Sequence, residues 1–165
     1  MAEVSESKRL WRTALIVAGV GLVVLVALGW LALRMWGDTI QRRVIAANES
    51  ATLTYLEGIQ AAEDIYFRAN GQYGTIQQLI DAGFQPDVGG DPHVAHGYVL
   101  TVRVQPRTDA QPSTYSINAD PARSGGRDAT GRRHFFVSSE VTGIRFNESR
   151  PATGGDKPRP KVSEY

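Results

Sequence analysis

The chain has 165 residues, with 18 Lys and Arg against 17 Asp and Glu, and no cysteine. That length fits one domain with appendages, and the lack of cysteine excludes a disulfide-stapled fold, a zinc ribbon and a thiol nucleophile. A formal charge of +1 argues against broad electrostatic binding to nucleic acid, which needs an excess of Lys and Arg.

The apolar residues are concentrated near one end. From Thr13 to Leu33 the chain reads TALIVAGVGLVVLVALGWLAL, 21 residues without a charge. As a helix this segment is about 31 Å long, which matches a hydrocarbon core of roughly 30 Å. Val and Ile are poor helix formers in water, but in lipid only a helix satisfies the whole backbone internally. Trp11, Trp30 and Trp36 lie at or near its ends, where indole rings favour the headgroup region. The run is longer than the apolar region of a cleaved secretory signal, and Arg34-Met35-Trp36 makes a poor cleavage site. An uncleaved single-pass anchor is therefore expected, with residues 1–12 as a short tail and 13–33 as the span. Lys8, Arg9 and Arg12 on one side balance Arg34, Arg42 and Arg43 on the other, so basic residues do not set the orientation. Residues 1–12 are too few to fold, so the C-terminal region is expected to hold the working domain; the expected orientation is N-terminus cytoplasmic with that domain outside. Ala14 and Ala18 form a small-xxx-small pair, and Gly19, Gly21 and Gly29 add to the small residues that let membrane helices approach.

Beyond the apolar run the helical period persists. Ile40, Val44, Ala47, Ala51, Tyr55, Ile59, Ala62 and Tyr66 recur at steps of three and four, which predicts an amphipathic helix from Thr39 to about Asn70. Leu56 and Phe67 widen the stripe, while Glu57, Glu63 and Asp64 lie mostly off it. Gly37-Asp38 is a candidate kink, and Asn70-Gly71 supplies the stop. Thr75 then caps a short helix carrying Ile76, Leu79 and Ile80, ended by Gly83. Residues 85–97, with two Pro and three Gly, read as a loop.

Next the period changes to two. Tyr98–Val104, Thr114–Ala119, His134–Val137 and Gly143–Phe146 read as four short strands joined by polar or tight connections, an antiparallel meander. Such a sheet needs one face covered, and residues 39–70 offer the long apolar-faced helix to cover it. The expected class is α+β: a long N-terminal helix, half transmembrane and half amphipathic, packed on a four-stranded antiparallel sheet. The folded region spans 34–146. Residues 147–165, with three Pro, two Gly and seven charges, are expected to be disordered.

This order resembles type IV pilins and the pseudopilins of type II secretion. The likeness extends to Ala47-Asn-Glu-Ser-Ala51, Ile59-Gln-Ala-Ala-Glu63, the aromatic pair Tyr66-Phe67 and the G-x-Y-x-T element Gly71-Gln-Tyr73-Gly-Thr75. It implies a non-enzymatic, membrane-anchored structural subunit or accessory of a pilus or secretion assembly in the bacterial inner membrane. The soluble domain would then be periplasmic or extracellular. The implied partners are the lipid bilayer and other pilin-like subunits or assembly components. Ala14, Ala18 and Gly21 would serve helix packing, and Tyr66, Phe67, Gly71 and Tyr73 the junction between helix and domain. One departure is clear: the run follows Lys8-Arg9-Leu10-Trp11-Arg12, with no Gly before it and no acid between 13 and 33. A prepilin has a Gly-ended processing site there and an early Glu thought to pair with a neighbouring subunit's N-terminus. Prepilin peptidase is therefore not expected to cut this chain, which leaves an alternative: an uncleaved anchored binding module that does not polymerise.

No cofactor, metal, catalytic residue or small-molecule substrate is expected. In Asp91-Pro-His93-Val-Ala-His96 the two histidines lack the helical i, i+4 spacing and intervening Glu of a zinc protease and read as surface-loop residues. His134 reads as an edge or surface residue. No serine lies in a G-x-S-x-G setting. Arg123, Arg127, Arg132 and Arg133 sit in one loop, but Asp120 and Asp128 interrupt them and aromatics are not interleaved, so nucleic acid is not an expected partner.

Overall fold

A computed structural model describes residues 3–85 and 91–159; for residues 3–10 and 12–16 only the helical backbone is described. Two compact units divide the chain, residues 1–40 and 41–165. The helical hydrogen-bond pattern of α1 (Glu3–Asn70) runs unbroken through Gly37 and Asp38, the expected kink site. There the Thr39 hydroxyl donates back to the Met35 carbonyl at 3.0 Å. Helix starts at Glu3, so the expected N-terminal tail is helical from that residue; Met1 and Ala2 lie outside the described residues.

In the second unit α1 ends where Gly71 takes a positive φ of 72° and its N–H reaches the Phe67 carbonyl at 2.8 Å. A residue with a side chain is strained there, and Gly is not. Helix α2 (Ile76–Asp81) starts with a reciprocal capping box: Gln78 N–H donates to Thr75 Oγ1, and Thr75 N–H to Gln78 Oε1. Ile76 and Leu79 turn inward and are fully buried.

The sheet is antiparallel throughout, and its spatial order follows the chain: β1 (Val94–Ala95), β2 (Tyr98–Gln105), β3 (Thr114–Pro121), β4 (His134–Ser138), β5 (Val141–Asn147), β6 (Lys157–Pro158). Six strands replace the four expected, because a two-residue strand flanks each side. β1 exists because His96 and Gly97 both hold positive φ, at 52° and 77°, as a two-residue hairpin turn requires. This sets Ala95 opposite Tyr98 and Val94 opposite Val99. The Pro/Gly-rich composition that suggested a loop concealed that turn.

One sheet face lies under α1. Leu53, Leu56, Ile59 and Ala62 pack with Tyr98, Leu100, Ile117, Ala119, Phe135, Val137 and Ile144 in a single core. The expected alternation holds in β3, where Tyr115, Ile117 and Ala119 are buried and their neighbours are not; in β2 Tyr98 and Leu100 are buried while Val102 and Val104 are half-buried, and in β5 Ile144 alone is buried. The helical stripe needs correcting. Ile40 and Val44 are exposed, and the buried face runs through Ile45, Thr52, Leu56, Ile59 and Glu63. At 100° per residue this face is rotated by less than roughly a quarter turn from the expected line. Residues four apart, such as Ile40 and Val44 or Ala47, Ala51 and Tyr55, drift about 40° round the helix at each step, so their row leaves the buried face.

The opposite face is crossed by the segment expected to be disordered. Ala152 is buried, its carbonyl accepts from Asn118 Nδ2 at 2.7 Å, and β6 pairs with β5. Asp156 organises this segment: its carboxylate accepts from Asn147 Nδ2, from the Thr153 N–H and hydroxyl, and from both terminal nitrogens of Arg150. The hydrogen bond from Asn147, then those from Thr153 and the Arg150 charge, hold the Asp156 carboxyl down at about 2. Polar hydrogen bonding rather than apolar composition orders residues 147–159; residues 160–165 lie outside the described residues.

Two predictions follow from burial. Phe135, fully buried and stacked at 5.6 Å on Tyr98, is expected to cost about 3–5 kcal/mol when changed to Ala. Phe67, 36% exposed, should cost clearly less, and paired urea melts of the two variants check the order. Asp156→Ala is expected to speed backbone hydrogen exchange in residues 150–159 while leaving the melt of the helix–sheet core close to wild type, as exchange read by mass spectrometry beside a urea melt would report.

Candidate functional site

In the first unit, every described side chain from Val17 to Ile40 is exposed. Val20, Leu22, Val23, Leu25, Leu28 and Leu31, which together point to all sides of the helix, are each more than half exposed. A helix apolar all round suits burial in protein or in a membrane, not water. An 18-residue stretch of it reaches a mean hydropathy of 2.2, with none of that stretch buried, so this helix is long and apolar enough to cross a membrane. Beyond the end of the apolar run the Arg34 guanidinium lies 5.5 Å from the centre of the Trp30 ring, a cation and an aromatic together at the level where membrane helices carry them. Ala18 is exposed and Gly21 has open space beside it; the Ala14 side chain lies outside the described residues.

The other four singled-out residues gather at the end of α1. After Gly71 reverses the chain, the Tyr73 ring stacks on Phe67 with centroids 4.7 Å apart and meets Tyr115 edge-on at 4.8 Å. Tyr66 meets Phe84 edge-on at 6.3 Å and lies over Gly74, where an added Cβ would sit 3.1 Å from its ring. The turn is fastened to the sheet as well: Tyr73 N–H donates to Ser113 Oγ, which donates to the Gln105 carbonyl. Neither Tyr66 nor Phe67 is fully buried. They form a half-covered aromatic rim over the turn.

Beneath that rim sits a residue that the helical period set aside. Glu63 is 1% exposed, and its Oε2 accepts from Gly74 N–H at 2.9 Å. Burial pushes its carboxyl up to about 7; the Gly74 hydrogen bond opposes this, and the Asp64 charge adds to it. Tyr73 and Tyr115 also face the pair, and both phenols are pushed up, first by burial and then by the two carboxylates. Only the G-x-Y-G turn hinted at this: a chain that folds back on its own helix offers a backbone donor to an acid one turn inside.

The Asn48-Glu49-Ser50 triplet has a structural role. Asn48 Nδ2 donates to the Thr130 carbonyl at 2.9 Å, and Glu49 Oε1 accepts from the N–H groups of Arg132 and Arg133. With Gln41 Nε2 on the Ala129 carbonyl at 2.7 Å, they stitch the loop before β4 to α1. His134, expected at an edge or surface, is only 15% exposed in its side chain, and its Nδ1 lies 2.6 Å from Asp120 Oδ1. His93 and His96 are exposed. Among the described residues no three His, Asp or Glu gather as a metal site would require.

No protein-family model matches the chain, and no curated protein or solved structure is significantly similar to it.

The buried carboxyl gives a pH dependence with a definite sign. Its value is 4.5 when free and about 7 in the fold, so the fold favours the protonated form. The associated stability is fully present below about 4.5 and is lost as pH rises through about 7, an upper limit of about 3 kcal/mol. Glu63→Gln keeps an acceptor for Gly74 and removes the titration. Its stability relative to wild type, measured by denaturant melts between pH 4.5 and 8, is expected to rise steadily with pH.

Proposed function

We propose that this chain is a non-enzymatic, single-pass membrane subunit of the pilin-like kind, a structural component or accessory of a type IV pilus or type II secretion-like assembly. The observation that carries the reading is a single helix, α1, whose apolar part is exposed on all sides and whose later part backs an antiparallel meander. An apolar surface of this kind calls for lipid or for the same surface of another subunit, and exposed Ala18 and Gly21 suit close helix contact. The bacterial inner membrane, with residues 41–165 on the periplasmic side, is the proposed location.

A second reading has its own support. With no acid between 13 and 33 and no Gly ahead of the run, the chain lacks the groups for prepilin processing and filament registry, which favours an anchored module that binds a partner without polymerising.

The natural absence of cysteine permits a clean test. Ala18→Cys and Gly21→Cys, introduced singly and alkylated with a benzophenone maleimide, are photo-cross-linked in native membranes and run on denaturing gels. Bands containing other subunits support the assembly reading; monomer at every position, with the intact N-terminus found by mass spectrometry, overturns it in favour of the anchored module. Failure of the protein to sediment with membranes would overturn both.

A further inference from the structure

We propose that a cleft in the second unit, between α1 and the loops flanking β4 and β5, binds a phosphate group through Arg42 and Arg132. The cleft encloses about 880 Å³ and brings four arginines, Arg42, Arg132, Arg133 and Arg150, against two acids, Glu49 and Glu148. Both acids are already engaged. Glu49 accepts from two backbone N–H groups and lies 3.7 Å from the Arg133 guanidinium; Glu148 lies 3.6 Å from the same guanidinium. Arg150 is spent on Asp156, and His134 on Asp120. Among the described residues, Arg42 and Arg132 have no carboxylate within ion-pair distance, and both are exposed. Two planar guanidinium forks on one cleft, with the surrounding acids neutralised, make a receptor for an oxyanion that accepts several hydrogen bonds at once.

Phosphate rather than a lone carboxylate suits the pair, since its three or more oxygens can serve forks from two walls. The volume leaves room for a substituent, so a phosphate ester fits as well as the free ion. Connectivity makes one source of such an ester natural. Arg42 lies nine residues beyond Leu33, a chain length that spans at most about 30 Å even fully extended. On the proposed membrane reading, on which this step rests, Arg42 stays within that distance of the membrane edge, which makes a lipid phosphodiester the ester to test. The cleft is assembled by the tethers of Gln41, Asn48 and Glu49 to residues 129–133, none of which involves either free guanidinium. Arg42 and Arg132 can therefore be changed without removing what builds the site.

The test is hydrogen exchange of the full chain in nanodiscs, read on the segment 124–133. Three conditions are compared at constant ionic strength in nanodiscs of a galactolipid, which carries no phosphate: the galactolipid alone, the galactolipid with inorganic phosphate in place of chloride, and the galactolipid mixed with phosphatidylglycerol. Ligand at twice its dissociation constant slows exchange through site opening about threefold. Slowing by phosphate that is lost in the Arg42→Gln, Arg132→Gln double variant supports the site with the free ion as ligand. Slowing only by phosphatidylglycerol, lost in the same variant, supports it with a lipid headgroup as ligand. No slowing in either condition, or slowing that persists in the double variant, overturns the proposal; unchanged exchange in β3 and β4 certifies that the variant is folded.

Discussion

The sheet has two broad faces, and the chain supplies one long helix with an apolar side to cover one of them. Leu56 and Ile59, both fully buried, meet Tyr98, Ile117 and Phe135 across that seam. At about 25 cal/mol per Å² of apolar surface removed from water, this contact outweighs any polar interaction in the domain. Other features are consequences. The β1–β2 turn must bring Ala95 under the helix, the loop before β4 must be stitched to α1, and residues 150–158 are left to cover the outer face. Their means are polar because, among the described residues, no second long helix is present to do it.

The elements legible in the sequence were those with a repeating signal. The long helix, its Asn70-Gly71 stop, the Thr75 cap, the places of four strands and the inward residues of β3 all follow from period or from one residue's backbone preference. What escaped depends on contacts distant in the chain. Glu63 looks like a solvent-facing acid until Gly71 folds Gly74 back against it. The face of α1 that meets the sheet is set by the sheet, so a stripe traced along the helix could drift to Ile40 and Val44. Ala152 and Asp156 sit in a composition typical of disorder, yet one carboxylate gathers enough donors to fix the segment.

The two most unusual carboxyls of the domain lie at opposite extremes for clear reasons. Glu63 has one backbone donor and no cation among the described residues, so burial dominates and its proton is retained toward neutral pH. Asp156 is surrounded by donors with a guanidinium beside it, so the ionised form dominates even in acid. Mild acidification therefore leaves the outer strap intact while it favours the turn beneath the aromatic rim.

The spatial order of the strands repeats their order in the chain, with no crossover. Each hairpin can zip onto the one before it as the polypeptide emerges, through contacts that are close in sequence and therefore fast to form. The stitches from Gln41 and Asn48 to residues 129 and 130 join points 88 and 82 residues apart, a loop whose closure is entropically the most demanding step. Sheet assembly can thus run ahead, with docking of the helix as the late event that locks the domain shut.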